Sequence, residues 1–114
     1  MEIKPTMTNF QLDDGSVIQL TLNLMLLYRL KSLRKDAYER FNNVMVKGPQ
    51  DVFDNLTVVY TAYLCANIDT IDACASYADF MQRASGSIQA LTMACEDLIN
   101  PKKKTVSGPL SAAE

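Results

Sequence analysis

The sequence predicts a mainly α-helical fold: a small N-terminal β-hairpin packed on a bundle of four or five helices, followed by a disordered C-terminal tail. Three observations carry that expectation. Apolar residues alternate with polar ones near the N-terminus, recur every three or four positions over residues 23–99, and lose any such period after Pro101. The 114 residues suffice for one domain with one modest core, taken as residues 1–101, and no internal repeat or low-complexity linker divides it.

Phe10 and Leu12 alternate with polar neighbours, Asp13-Asp14-Gly15 intervenes, and Ile18, Leu20 and Leu22 alternate again, which predicts a hairpin over about residues 8–22. A two-residue Asp14-Gly15 turn would set Phe10 and Leu12 on the opposite face from Ile18 and Leu20. A three-residue loop of Asp13, Asp14 and Gly15 places all four on one face and lets Gly15 take the left-handed conformation such loops need. The three-residue loop is therefore expected.

From Asn23 the period becomes helical. Leu26, Leu30, Leu33 and Ala37 share a stripe that Tyr38, Phe41 and Met45 continue, as one long helix or two joined near Lys35-Asp36, ended by Gly48-Pro49. Asp51 is placed to cap the next helix. Over residues 51–66 this helix is apolar around much of its circumference. Val52, Leu56, Val59 and Tyr63 form its main stripe, and Phe53, Tyr60 and Leu64 form a second one about 100° away. Either both stripes face helices of the same core, or the second meets another protein chain; Phe53, Tyr60 and Leu64 are the candidate partner-binding residues.

Residues 67–72 are polar and break the pattern. Cys74, Tyr77 and Met81, with Phe80 beside them, predict a shorter helix ending near Ser85-Gly86. Ser87 is a candidate cap for a last helix whose buried face is Ile88, Leu91, Cys95 and Leu98, with Ile99 alongside, and which Pro101 stops. Residues 102–114 have almost nothing to bury and are expected to form a disordered basic and polar tail.

Chemistry is harder to find. There is no histidine, the commonest general base and metal ligand. Cys65, Cys74 and Cys95 are odd in number, lack a C-x-x-C pair and sit among apolar or small residues, so they are expected to be reduced and buried. Asp13-Asp14-Gly15 lacks the distal ligands of a calcium loop, Asp69, Asp72 and Asp79 are spaced like solvated positions, and no phosphate-loop motif occurs. No catalytic residue, metal site or cofactor is expected. The net charge of -2 gives no field that would gather nucleic acid. The densest basic group, Arg29, Lys31, Arg34 and Lys35, runs into Asp36 and Glu39 and reads as a solvated helix face. The first residues lack the continuous apolar run of a signal peptide, and the longest apolar windows fall short of the ~20 residues that span a bilayer. A protein-binding module without nucleic-acid or membrane partners is the expectation.

The succession FQLDDGSVIQLTLNLMLLYRLK, AYERFNNVMVKGPQDVFDNLTVVYTAYLCAN and a final NPKKK resembles the tail assembly chaperones of long-tailed phages and prophages of Gram-positive bacteria, over residues 8–104. The resemblance lies in shape and hydrophobicity, most particularly in DDG leading into TLNLMLLYRLK and in LTVVYTAYLCAN. It implies a non-enzymatic protein of the host bacterial cytoplasm that binds the tape measure protein, keeps it soluble during tail tube assembly and is absent from the mature virion. In many relatives a ribosomal frameshift appends a domain thought to recruit the tail tube protein, and Lys102, Lys103 and Lys104 are compatible with slippery codons. Surplus apolar surface also favours a homo-oligomer. The alternative function is a small structural tail-completion or connector protein retained in the virion.

Overall fold

A computed structural model describes residues 7–84, 86 and 88–100. The expectations for Ser87, Pro101 and the 102–114 tail lie outside the described residues. Strands β1 (Thr8–Gln11) and β2 (Val17–Leu20) form an antiparallel hairpin. Five α-helices follow: α1 (Leu24–Leu33), α2 (Lys35–Lys47), α3 (Val52–Ala66), α4 (Tyr77–Ala84) and α5 (Ile88–Ile99), with a 3-10 helix at Ile68–Ala73 between α3 and α4. The fold is the predicted one.

The hairpin has the expected register. Phe10 lies opposite Ile18, the Leu12 N–H donates to the Ser16 carbonyl at 2.8 Å, and Gly15 has φ +90°, which closes the loop on Asp13, Asp14 and Gly15. Phe10, Leu12 and Leu20 consequently share the buried side. Asp14 stabilises the loop by accepting from the Ser16 hydroxyl and N–H, and those two bonds hold its carboxyl below the usual carboxylate range. Asp13 ties the loop to the rest of the molecule: its N–H donates to the Arg83 carbonyl and its carboxylate accepts the Gly86 N–H at 3.0 Å. A Cβ at position 86 would sit 2.5 Å from that carboxylate oxygen, so a larger residue there would displace the Asp13 side chain from this bond.

The 23–47 segment is two helices rather than one. Arg34, with φ -142° and ψ 77°, separates them, and the reorientation leaves Leu33 exposed although the continuous stripe placed it inside. Asn23 caps α1 by accepting from the Leu26 N–H at 2.8 Å, and Asp51 caps α3 by accepting from the Asp54 N–H at 3.0 Å. Gly48, at φ 83°, ends α2 as expected.

α3 is the central element. It packs against β2, the 3-10 helix and every other α-helix, and all of residues 56–62 are buried. Ala62 allows the closest approach: the wholly buried Thr21 at the end of the hairpin donates its N–H to the Ala62 carbonyl at 3.2 Å. Thr57 and Thr61 satisfy their hydroxyls against the carbonyls one turn back, Phe53 and Thr57, so these polar side chains enter the core at little cost.

Candidate interaction surface

The structure divides the three sequence-predicted partner residues. Phe53 is 61% exposed, whereas Tyr60 is 5% exposed and Leu64 wholly buried. The correction has a physical reason. The 3-10 helix and α4 close over that side of α3, packing Tyr77 edge-on and Phe80 at a tilt against Tyr60 with ring centroids 5.2 Å away in each case. The Tyr60 hydroxyl donates to the Ala75 carbonyl at 2.8 Å, and the Tyr63 hydroxyl accepts the Ala75 N–H at 3.0 Å. Burial raises both tyrosine pKa values. The second stripe is therefore mostly core, and of the three only Phe53 reaches solvent.

Two apolar surfaces stand out among the described residues. The first is the outward face of α1. Leu26, Leu27 and Leu30 turn toward the core, yet Leu24 (84% exposed), Met25 and Tyr28 (70%) face solvent over the same two turns. A helix that is apolar all round is normally enclosed; among the described residues this one is covered on one side only. The second is a trough between α3 and α5. Its apolar end is lined by Val52, Phe53, Leu56, Met81, Ile88 and Leu91, and it continues past Asp51, Asn55, Thr92 and Glu96 to Ile99 and Asn100. Ile88, predicted to be buried, lies 60% exposed at this trough, while Leu91 one turn on is the residue of that face that enters the core.

The charged side chains pair locally. Arg29 meets Asp69 at 2.8 Å, Arg34 meets Asp72 at 3.2 Å and Lys35 approaches Glu39 at 3.9 Å, while Lys31 sits over the Tyr38 ring at 5.6 Å. Arg29 and Arg34 thus link α1 and the α1–α2 junction to the 3-10 helix, while the two lysines pair within α1 and α2. Among the described residues no three His, Cys, Asp or Glu side chains come together as a metal site, and no helix is long and apolar enough to cross a membrane.

Cys65, Cys74 and Cys95 are free thiols. Burial pushes Cys65 up to about 12 and Cys95 to about 11, and raises the half-buried Cys74. A thiol whose folded pKa exceeds its unfolded value of 9.0 stabilises the fold below that value and ceases to do so as pH rises through the folded one. Stability is accordingly expected to be flat in these groups up to pH 9 and to decline between pH 9 and about 12. Alkylation at pH 8 should modify Cys74 first and reach Cys65 and Cys95 only on unfolding. Rapid labelling of Cys65 in the native protein, read by mass spectrometry, would overturn this.

Comparison with protein-family models, curated proteins and solved structures gives no match to this chain. The surfaces themselves must carry the functional reading. Leu24, Met25 and Tyr28 are the residues that sequence reasoning missed. The signal is present, since LMLLY covers every side of the helix over about its first turn and a half, but periodicity singles out only its inward stripe.

Proposed function

We propose that this protein is a binding protein of the phage tail assembly chaperone type, which holds an apolar, helical client, the tape measure protein, during tail tube assembly. The observation that carries the reading is the outward face of α1, where Leu24, Met25 and Tyr28 stand in solvent on a helix whose opposite face is already packed in the core. Groups of large, unpartnered apolar side chains mark sites of protein association, and a helical stripe of this kind accepts a second amphipathic helix. The same segment belongs to the succession that resembles the chaperones, which adds support. Reversible contacts of this sort require no cofactor.

The test is affinity capture of the tagged protein from phage-producing cells, with mass spectrometry of the retained proteins and of purified virions. Recovery of the tape measure protein is expected, with this chain missing from virions. A variant carrying Leu24→Asp and Tyr28→Asp should fold normally, because both side chains are already in solvent, and should retain at least tenfold less client, the equivalent of about 1.4 kcal/mol. Stoichiometric presence in the virion would favour the structural tail-component reading. Undiminished capture by the folded double variant would move the client off α1.

A further inference from the structure

The trough between α3 and α5 is made of two adjoining depressions that share Val52 and Ile88. The first is apolar. Phe53, Leu56, Met81 and Leu91 complete its walls, and its volume is about 170 Å³; an apolar cavity of roughly 150 Å³ takes a benzene ring, so this one has room for a large side chain. The second is acidic. It carries Asp51 and Glu96, and its lining contains no lysine or arginine; neither do α3 and α5 themselves. Asp54 lies close by on the first turn of α3, its carboxylate accepting the Gln50 N–H at 2.8 Å. Among the described residues the ion pairs involve none of Asp51, Asp54 and Glu96. The field of two of these carboxylates is felt at the trough wall: after burial, the charges of Glu96 and Asp54 raise the pKa of Cys95, which lines the acidic depression.

This pattern selects its occupant. An acidic partner would be repelled by the carboxylates, and a wholly apolar one would strip their water without replacing it, which is costly for a charged group. We propose that the trough holds an amphipathic helix of a partner protein that carries a large apolar side chain at one end and lysine or arginine in the turns that follow. The apolar anchor enters among Phe53, Met81 and Ile88. The cations lie beside Glu96 and Asp51, with their aliphatic stems over Ile99. The length is set by α5: from Ile88 to Asn100 it rises about 18 Å at roughly 1.5 Å per residue, which a partner helix of about 12 residues matches. Apolar burial supplies the affinity of such a helix-in-groove contact, and the carboxylates fix its direction and exclude acidic competitors. No residue of α1 lines the trough, so the inference is independent of the client proposed for that face.

The experiment is an NMR titration of the assigned, full chain with two synthetic helical peptides of about 14 residues. Both have leucines at helical spacing in the first half; one has lysines in the second half and the other glutamates at the same places. The lysine peptide is expected to give saturable amide shifts at positions 52–56 and 88–96, and the glutamate peptide to bind at least about tenfold more weakly. Ile88→Asp and Glu96→Lys, both at exposed side chains, should each weaken the lysine peptide by about tenfold while leaving the circular dichroism spectrum unchanged. The double substitution Leu24→Asp and Tyr28→Asp should leave its binding intact, which separates this surface from α1. Absence of saturable shifts at the trough, equal binding of the two peptides, or shifts confined to α1 would overturn the proposal. So would concentration-dependent shifts of the trough amides without peptide, which would make a second copy of this chain the occupant.

Discussion

Tyr60→Asp is expected to abolish the folded state or to lower its melting temperature by about 20 °C or more. Tyr60 is 5% exposed, and its ring lies within 6.1 Å, centroid to centroid, of those of Tyr63, Tyr77 and Phe80. Aspartate there removes the ring from the cluster and buries an unpaired carboxylate, at a cost on the order of 4 kcal/mol. A domain of this size has only about 5–15 kcal/mol of total stability, and each kcal/mol shifts melting by about 4–8 °C. Tyr60→Phe separates the two contributions. It keeps the ring and loses only the bond to the Ala75 carbonyl, for roughly 1 kcal/mol. Circular dichroism melts of the two variants give the comparison, and a Tyr60→Asp variant that melts like wild type would remove Tyr60 from the core.

That expectation reverses the role the sequence first suggested for Tyr60, and the reason is general. A helix with two apolar stripes has two neighbours, but periodicity does not say whether the second belongs to the same chain. Here residues 68–84 supply it, bringing Ile68, Ile71 and Phe80 into the core from a stretch whose polar start, residues 67–72, reads as a loop. The hairpin register was legible because it turns on one local choice, the position of Gly15 in a loop that must keep Phe10, Leu12 and Leu20 inward. Leu33 and Ile88 are exposed for the complementary reason: a break such as that at Arg34, and which turn of a helix meets its neighbour, are not contained in a regular stripe. The outward face of α1 was written in LMLLY, but an apolar run that fills a helix all round looks in sequence like a generously packed core. Only the absence of a neighbour on one side distinguishes the two.

Phe80→Ala should destabilise the protein by about 3–5 kcal/mol, the usual range for emptying a fully buried aromatic site, and should do so unevenly. Phe80 is almost wholly buried and stacks on Tyr63 with centroids 5.1 Å apart. α4 has eight residues, too few to persist without tertiary packing. With Phe80 removed, α4 keeps the Tyr77 contacts, a 2.9 Å hydrogen bond to Thr57 and the Arg40 guanidinium 4.4 Å from its ring, both near its start. Its far end then keeps the small buried Ala84, the partly buried Met81 and the bonds between Arg83 and the Asp13-Asp14 loop, which are solvent-exposed on their side-chain part and contribute little alone. Amide hydrogen exchange should therefore show residues 80–84 losing protection well beyond those of α2, with the hairpin loop loosening alongside them because Asp13 and Asp14 are its partners. Equal loss of protection in α2 and α4 would mean instead that the molecule opens only as a whole, and that the cover over Tyr60 and Leu64 never lifts independently to expose the second stripe of α3.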